Sequence, residues 1–356
     1  MKNRIELFIA IIAGILLFYS CKKDSPKITP TLTPVITGPY LYLGGSADSR
    51  GVYWKVSLLD PSGPVITDTI QNAANITSIV ISDNTRYMTG GSAGYWINDS
   101  FVAVRSASQL NLLAISGTTV YTAGFDLSLD AAQWTNTTET ADFANAMDTI
   151  FPRASWSFGL TGIALSGSNV LVSGSWVIEG EPGGPDSSVY SGFGVLFTNG
   201  AALLLPYNNN TLFGGVLFRW TNGVAVSGND IYVPGTLPDT ISPPKGGFWK
   251  NGVWNNIDNG LFRPSAIATS DTNIVIAGYT YTLPWNPLSI QAAYWHNGKL
   301  TTLNGTTAVM VALYDRDIYV LGQDNSNNIV VWKNGTLFKT LNGAIAGNVS
   351  CMTIGN

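Results

Sequence analysis

Seven times between residues 40 and 356 the sequence returns to one unit: an apolar strand that ends at a glycine, a variable stretch, then a strand carrying a large aromatic side chain. The glycines are Gly45, Gly90, Gly124, Gly174, Gly235, Gly278 and Gly322. The aromatics are Trp54, Trp96, Trp134, Phe197, Trp249, Trp295 and Trp332. A unit that recurs at about 45 residues is one supersecondary element that cannot bury its apolar faces by itself, so its neighbours must cover them.

Six units are preceded by a further apolar strand and a polar turn, at 78–84, 113–118, 163–168, 224–229, 266–272 and 309–316. The first unit lacks one, because Tyr40 opens directly on the glycine-bearing strand. A strand with no unit of its own, 349–355, stands at the C-terminus and matches the missing piece. Four antiparallel strands at this repeat length make a propeller blade. The fold expected is therefore all-β, a seven-bladed β-propeller over 40–356 whose C-terminal strand pairs into the first blade. Such closure removes the unpaired edges that an open array would leave.

Antiparallel alternation decides which connections share a face. Turns between the first and second strands are tight and polar. Those between the third and fourth carry Asn199-Gly200, Asn251-Gly252, Asn297-Gly298 and Asn334-Gly335, residues that accept the positive φ of a two-residue hairpin. That face is expected to be nearly flat. The long segments, 175–193, 236–246 and 279–291 between second and third strands and 137–161 and 204–222 between blades, all map to the opposite face. Long connections on a rigid scaffold are where binding residues concentrate.

Composition bears more on chemistry. Charged residues make up 11% of the chain, Lys+Arg 18 against Asp+Glu 22, with no basic block beyond the extreme N-terminus. That argues against a nucleic-acid partner. A single His and two Cys remove most metal-ligand and triad chemistry. His296 occupies a turn position where sister units carry Lys250 and Lys333, and no metal site or cofactor is expected. The mean hydropathy of +0.17 comes from short alternating runs. Beyond position 20 none approaches the ~18 apolar residues of a membrane span.

The first twenty residues read as an address. Lys2 and Arg4 precede an apolar run from Leu7 to Tyr19, which ends at Ser20-Cys21-Lys22-Lys23. This resembles the processing site of bacterial lipoproteins, and the resemblance implies a signal peptide over 1–20, an acylated Cys21 that holds the chain to the membrane, and a Pro/Thr/Ser-rich tether over 21–39. The glycine and tryptophan pattern of residues 40–356 resembles the kelch-like β-propeller repeat superfamily, and the propeller lipoproteins of Bacteroidetes-type bacteria in particular. What that implies is a fold and an outer-membrane address, with the periplasmic or surface side left open; it implies no particular activity.

Residues that break the repeat are the candidates for function, because packing does not call for them. Arg153, Arg219 and Arg263 precede three consecutive blades and suit an anionic ligand. Trp176, Trp220, Tyr279, Tyr281 and Trp285 would supply aromatic faces for a sugar. The expectation is a monomeric binding or interaction module for a glycan, another small anionic or polar ligand, or an envelope protein. The alternative is a glycoside hydrolase or lyase using carboxylates among Glu179, Glu181, Asp186, Asp126 and Asp130. No catalytic residue is assigned.

Overall fold

The computed structural model describes residues 38–151, 155–179, 191–206, 220–237, 245–281, 290–341 and 348–356. They form seven antiparallel sheets, the seven blades expected. The innermost strands are Asn348–Gly355, Ser78–Ser82, Ala107–Ser116, Ser155–Ser166, Ala225–Ser227 with the short Trp220–Thr221, Phe262–Ser270 and Thr307–Tyr314. Each lies against the innermost strands of the blades before and after it, and the seventh meets the first, so the sheets close into a ring.

Closure follows the expected route. The C-terminal strand Asn348–Gly355 pairs antiparallel with Tyr40–Ala47, from Tyr40 opposite Gly355 to Gly44 opposite Cys351. The first blade thus takes one strand from the chain's end and three from its beginning, Tyr40–Ala47, Arg50–Ser57 and Ile66–Thr69.

The core is seven clusters, one in each interface between blades. The repeated aromatic of the third strand inserts each time toward the preceding blade. Trp332, for example, packs with Val275, Ala277 and Ala292 of blade six. Trp54 packs with Tyr319, Leu321 and Val331 of blade seven, and Trp134 with Tyr87 and Tyr95 of blade two. Such side chains bury about 150–250 Å² each, so the recurrent aromatic is a large apolar contribution to each interface.

The recurrent glycine has a different cause. In blades one, three, four, six and seven the innermost strand carries an extra residue at Ser350, Asn111, Thr161, Ser265 and Val309, where the register slips, and blade three slips a second time at Ser108. A bulge of this kind bends the strand. Around it the carbonyl oxygens of Asn348, Gln109, Arg263 and Thr307 press on Gly45, Gly124, Gly278 and Gly322, where any Cβ would overlap them. Asn75 presses on Gly90 in the same way.

Three local expectations need correction. Segment 137–161 is not a continuous loop. It holds an outer strand, Thr138–Asp142, and then a two-turn helix, Phe143–Ile150, with Asp142 accepting the Asn145 N–H and Phe143 and Met147 buried. Second strands run further than expected, to Glu179 in blade four and to Tyr281 in blade six. The turn face is also not uniformly flat, since residues 58–65 join the third and fourth strands of blade one.

Candidate functional site

On the turn face, blades two to seven share one device. Asn98, Asn136, Asn199, Asn251, Asn297 and Asn334 all have positive φ. Each side-chain oxygen accepts a backbone N–H from the start of the second strand, at Arg86, Val120, Val170, Ile231, Ile274 and Ile318, over 2.8–3.1 Å. Each asparagine N–H returns a bond to the carbonyl of the same residue. Beside this clamp, Lys250 meets Asp230 and Lys333 meets Asp317, both at 2.7 Å. The lysine bonds hold both carboxyls below the ordinary carboxylate value. His296 stands in the equivalent place, its Nε2 3.1 Å from Asn273 Oδ1. The one histidine is the last residue of the third strand of blade six, half-buried and one residue before the turn in which the repeat suggested it.

At the opposite end of the strands the helix Phe143–Ile150 follows the outer strand of blade three, and the connections 180–190, 207–219, 238–244 and 282–289 expected there lie outside the described residues. Of the residues singled out from sequence, Arg153, Arg219, Trp285 and Cys21 lie outside the described residues, as do Glu181 and Asp186. Trp220 pairs with Thr236 in the two-residue strand that opens blade five. Glu179 ends the second strand of blade four.

Trp176 is not a surface aromatic. It is 0% exposed, stacked on Phe158 at 4.7 Å between ring centres with an 18° interplanar angle, and close to Phe197 at 5.4 Å. The reason is the length of its strand. Because Asn169–Glu179 continues past the repeat glycine, Trp176 keeps the alternation of Val170 and Val172 and enters the same core between blades three and four. Its indole N–H is buried without an acceptor.

Asp126 and Asp130 belong to a turn. Asp126 Oδ1 accepts the N–H groups of Ser128 and Asp130 at 2.8 and 2.9 Å. Asp324 does the same for Ser326 and Asn328 in blade seven. Burial first, then the charges of Asp126, Asp142 and Asp148, raises the Asp130 carboxyl. The turn between them presents Leu127 and Leu129 outward on the long-connection face, and Leu129 has a φ of 69°, unusual for a bulky side chain.

Arg263, Tyr279 and Tyr281 are brought together. Arg263 is the second residue of the innermost strand of blade six, held extended by the Pro264 that follows. It lies directly opposite Tyr279. Tyr279 and Tyr281 continue the alternation of Val275 and Ala277, which face blade seven. The guanidinium carbon is 5.2 Å from the centre of the Tyr281 ring, and the two tyrosine rings meet edge to face at 5.8 Å. Nη1 donates to the carbonyls of Gly260 at 2.6 Å and Phe262 at 3.1 Å. The residue is only 7% exposed. Burial lowers the guanidinium pKa and raises that of Tyr279, with the neighbouring Tyr281 adding to the latter.

No protein-family model and no curated protein matches the sequence. Solved structures share the architecture. The β-propeller domain of the Trilobed protease from Pyrococcus furiosus, described as an open velcro topology, aligns with a TM-score of 0.51 at 12% identity, over 85% of this chain and 94% of that one. Apo AztD from Citrobacter koseri aligns at 0.46 and 11%, over 89% and 98%. At these identities the likeness is one of fold.

Proposed function

We propose that this propeller is a lipid-anchored binding module of the bacterial cell envelope, of the kelch-like lipoprotein type, which offers its long-connection face to a glycan, another polar or anionic ligand, or an envelope protein. The observation that carries the reading is the difference between the two faces. On one, six asparagine clamps tie the turns down. On the other, connections lengthen in blades three to six without any requirement from the repeat, the arrangement in which a rigid scaffold displays recognition residues.

The address in this proposal rests on Cys21 and its flanking sequence. Cys21→Ala is expected to release the protein from membranes or to leave an unprocessed precursor, read by cell fractionation and by the mass of the mature chain. A processed variant that stays with the membrane would remove the anchor from the proposal. Binding is read with the full chain in mild detergent, on a glycan array and by pull-down from envelope extracts. Retained ligands should compete for the long-connection face, and ligands that map to the asparagine turns would count against it.

A further inference from the structure

Arg263 is the residue that the repeat explains least. At the register position it occupies, one before the residue opposite the second-strand glycine, the other blades carry Asn348, Asn75, Gln109, Gly159, Trp220 and Thr307. None of these is charged. The backbone carbonyl does the same work in blade six as in its neighbours, pressing on Gly278, and nothing in that role calls for a guanidinium.

A buried cation is costly unless it is paired and its donors are met. Here Nη1 is satisfied by two backbone carbonyls and the cation is partly balanced by the Tyr281 ring. Nη2 is buried and, among the described residues, has no acceptor. Among the described residues no carboxylate pairs with Arg263. The side chain therefore retains the Nη2 amino group and a positive charge that only the Tyr281 ring offsets. Beside it are two phenol groups on the same face of the blade, their rings edge to face at 5.8 Å and each able to turn an O–H toward an acceptor.

We infer that the end of the interface between blades six and seven at Arg263 is an acid-group subsite, in which Arg263 Nη2 donates to an oxygen of a carboxylate or sulfate ester carried by a saccharide, with the hydroxyls of Tyr279 and Tyr281 as further donors. Charge selects a monoanion. One guanidinium with one free amino group matches a group of charge −1, whereas a phosphate monoester at neutral pH would bring up to a second, unmatched charge. The inference rests on the binding-module reading and narrows it to acidic glycans.

The test uses the full chain in detergent and low-salt buffer, titrated calorimetrically with three probes: glucuronate, glucose 6-sulfate and glucose. Binding of either or both acidic sugars at a single site, with glucose silent, is the expected result, and the two acids separate the carboxylate from the sulfate source. Arg263→Met should weaken that binding about tenfold or more, the loss of a hydrogen bond to a charged group. Tyr279→Phe with Tyr281→Phe keeps both rings and Arg263 and should weaken it several-fold. Because Arg263 also holds the Gly260 and Phe262 carbonyls, thermal unfolding is measured on each variant, and the tyrosine pair carries the test if Arg263→Met does not fold.

Equal binding of glucose, no binding of either acid at millimolar concentration, or unchanged acid binding in both variants would overturn the inference, leaving a water molecule as the partner of Nη2. The wider reading fails separately. A neutral glycan or envelope protein held on the same face and insensitive to Arg263→Met would preserve the module and discard the acid subsite. Acid binding at Arg263, with no glycan or protein retained in the screens, would do the reverse.

Discussion

Gly44 stands directly opposite Cys351 across the seam that closes the ring, and a Cβ at Gly44 would lie 2.5 Å from the cysteine sulfur and 2.7 Å from Ile76 Cγ2. The first and last strands of the propeller thus meet with no room for a methyl group between them, at the place where the chain's two ends must find each other.

Gly44→Ala is accordingly expected to cost about 1–3 kcal/mol, the usual penalty for overpacking a filled core. Adding Cys351→Ala, which removes the sulfur but leaves Ile76 in place, should recover part of the loss. Urea unfolding of the two single variants and the double would read this coupling. Deleting residues 348–356 should be far worse, since it exposes the edge of Tyr40–Ala47 along its length.

Burial pushes the Cys351 thiol up to about 12. The native protein should therefore resist alkylation at pH 8, and urea should unmask the thiol. The folded state holds this proton more tightly than the unfolded state does. Stability attributable to it is fully present below the ordinary value of 9.0 and declines as pH rises toward about 12. Burial raises Tyr42 and Tyr95 in the same sense. The urea midpoint should fall across this alkaline range, and Cys351→Ala should make the fall shallower.

The asparagine clamp can be divided into its two contributions at Asn334, whose φ is 51° and whose side chain holds the Ile318 N–H at 2.9 Å and Asp317 at 2.7 Å. Asn334→Gly keeps the left-handed backbone and loses only the side-chain bonds. Asn334→Ala loses both, and should be less stable than the glycine variant by about 1 kcal/mol, the cost of that conformation in a residue with a Cβ. Thermal melts of the pair give the difference.

Trp176→Phe preserves most of the stack on Phe158 and removes an indole N–H that has no acceptor. Its cost should be small, while Trp176→Ala should lose about 3–5 kcal/mol, as large-to-small changes in a core do. Neither should change ligand affinity in a variant that remains folded. A large stability loss in Trp176→Phe would mean that the N–H is satisfied in solution.

The features most legible in the sequence are those that every blade needs. Tryptophan and glycine recur because each interface requires a large insert and each bulge a bare Cα, so blade number and seam can be counted in the sequence. The bulge itself left no such mark, because Ser350, Asn111, Thr161, Ser265 and Val309 have no side-chain chemistry in common. Trp176, Tyr279 and Tyr281 fall outside the repeat, which points to loops, yet their hairpins are extended and two-residue alternation still governs them. That sends Trp176 into a core and places the tyrosines beside Arg263. Asn199, Asn251, Asn297 and Asn334 are marked for their backbone angle by the glycine that follows each, whereas Asn98 and Asn136 lack that glycine, and the second role of all six needs the opposing strand in view.

The seam also decides how the ring would respond to force. Tyr40 pairs with Gly355, so the chain enters and leaves the propeller at the same end of one antiparallel ladder. Traction applied between residues 38 and 356 would load that ladder one rung at a time and peel it open at low force, before the other blades bear load. Traction on the N-terminal side alone, against drag on the body, would instead run through Tyr40–Ala47 while that strand is gripped on both flanks, by Asn348–Gly355 and by Arg50–Ser57. A propeller closed in this manner is mechanically weak to separation of its two ends and resistant when only one of them is held.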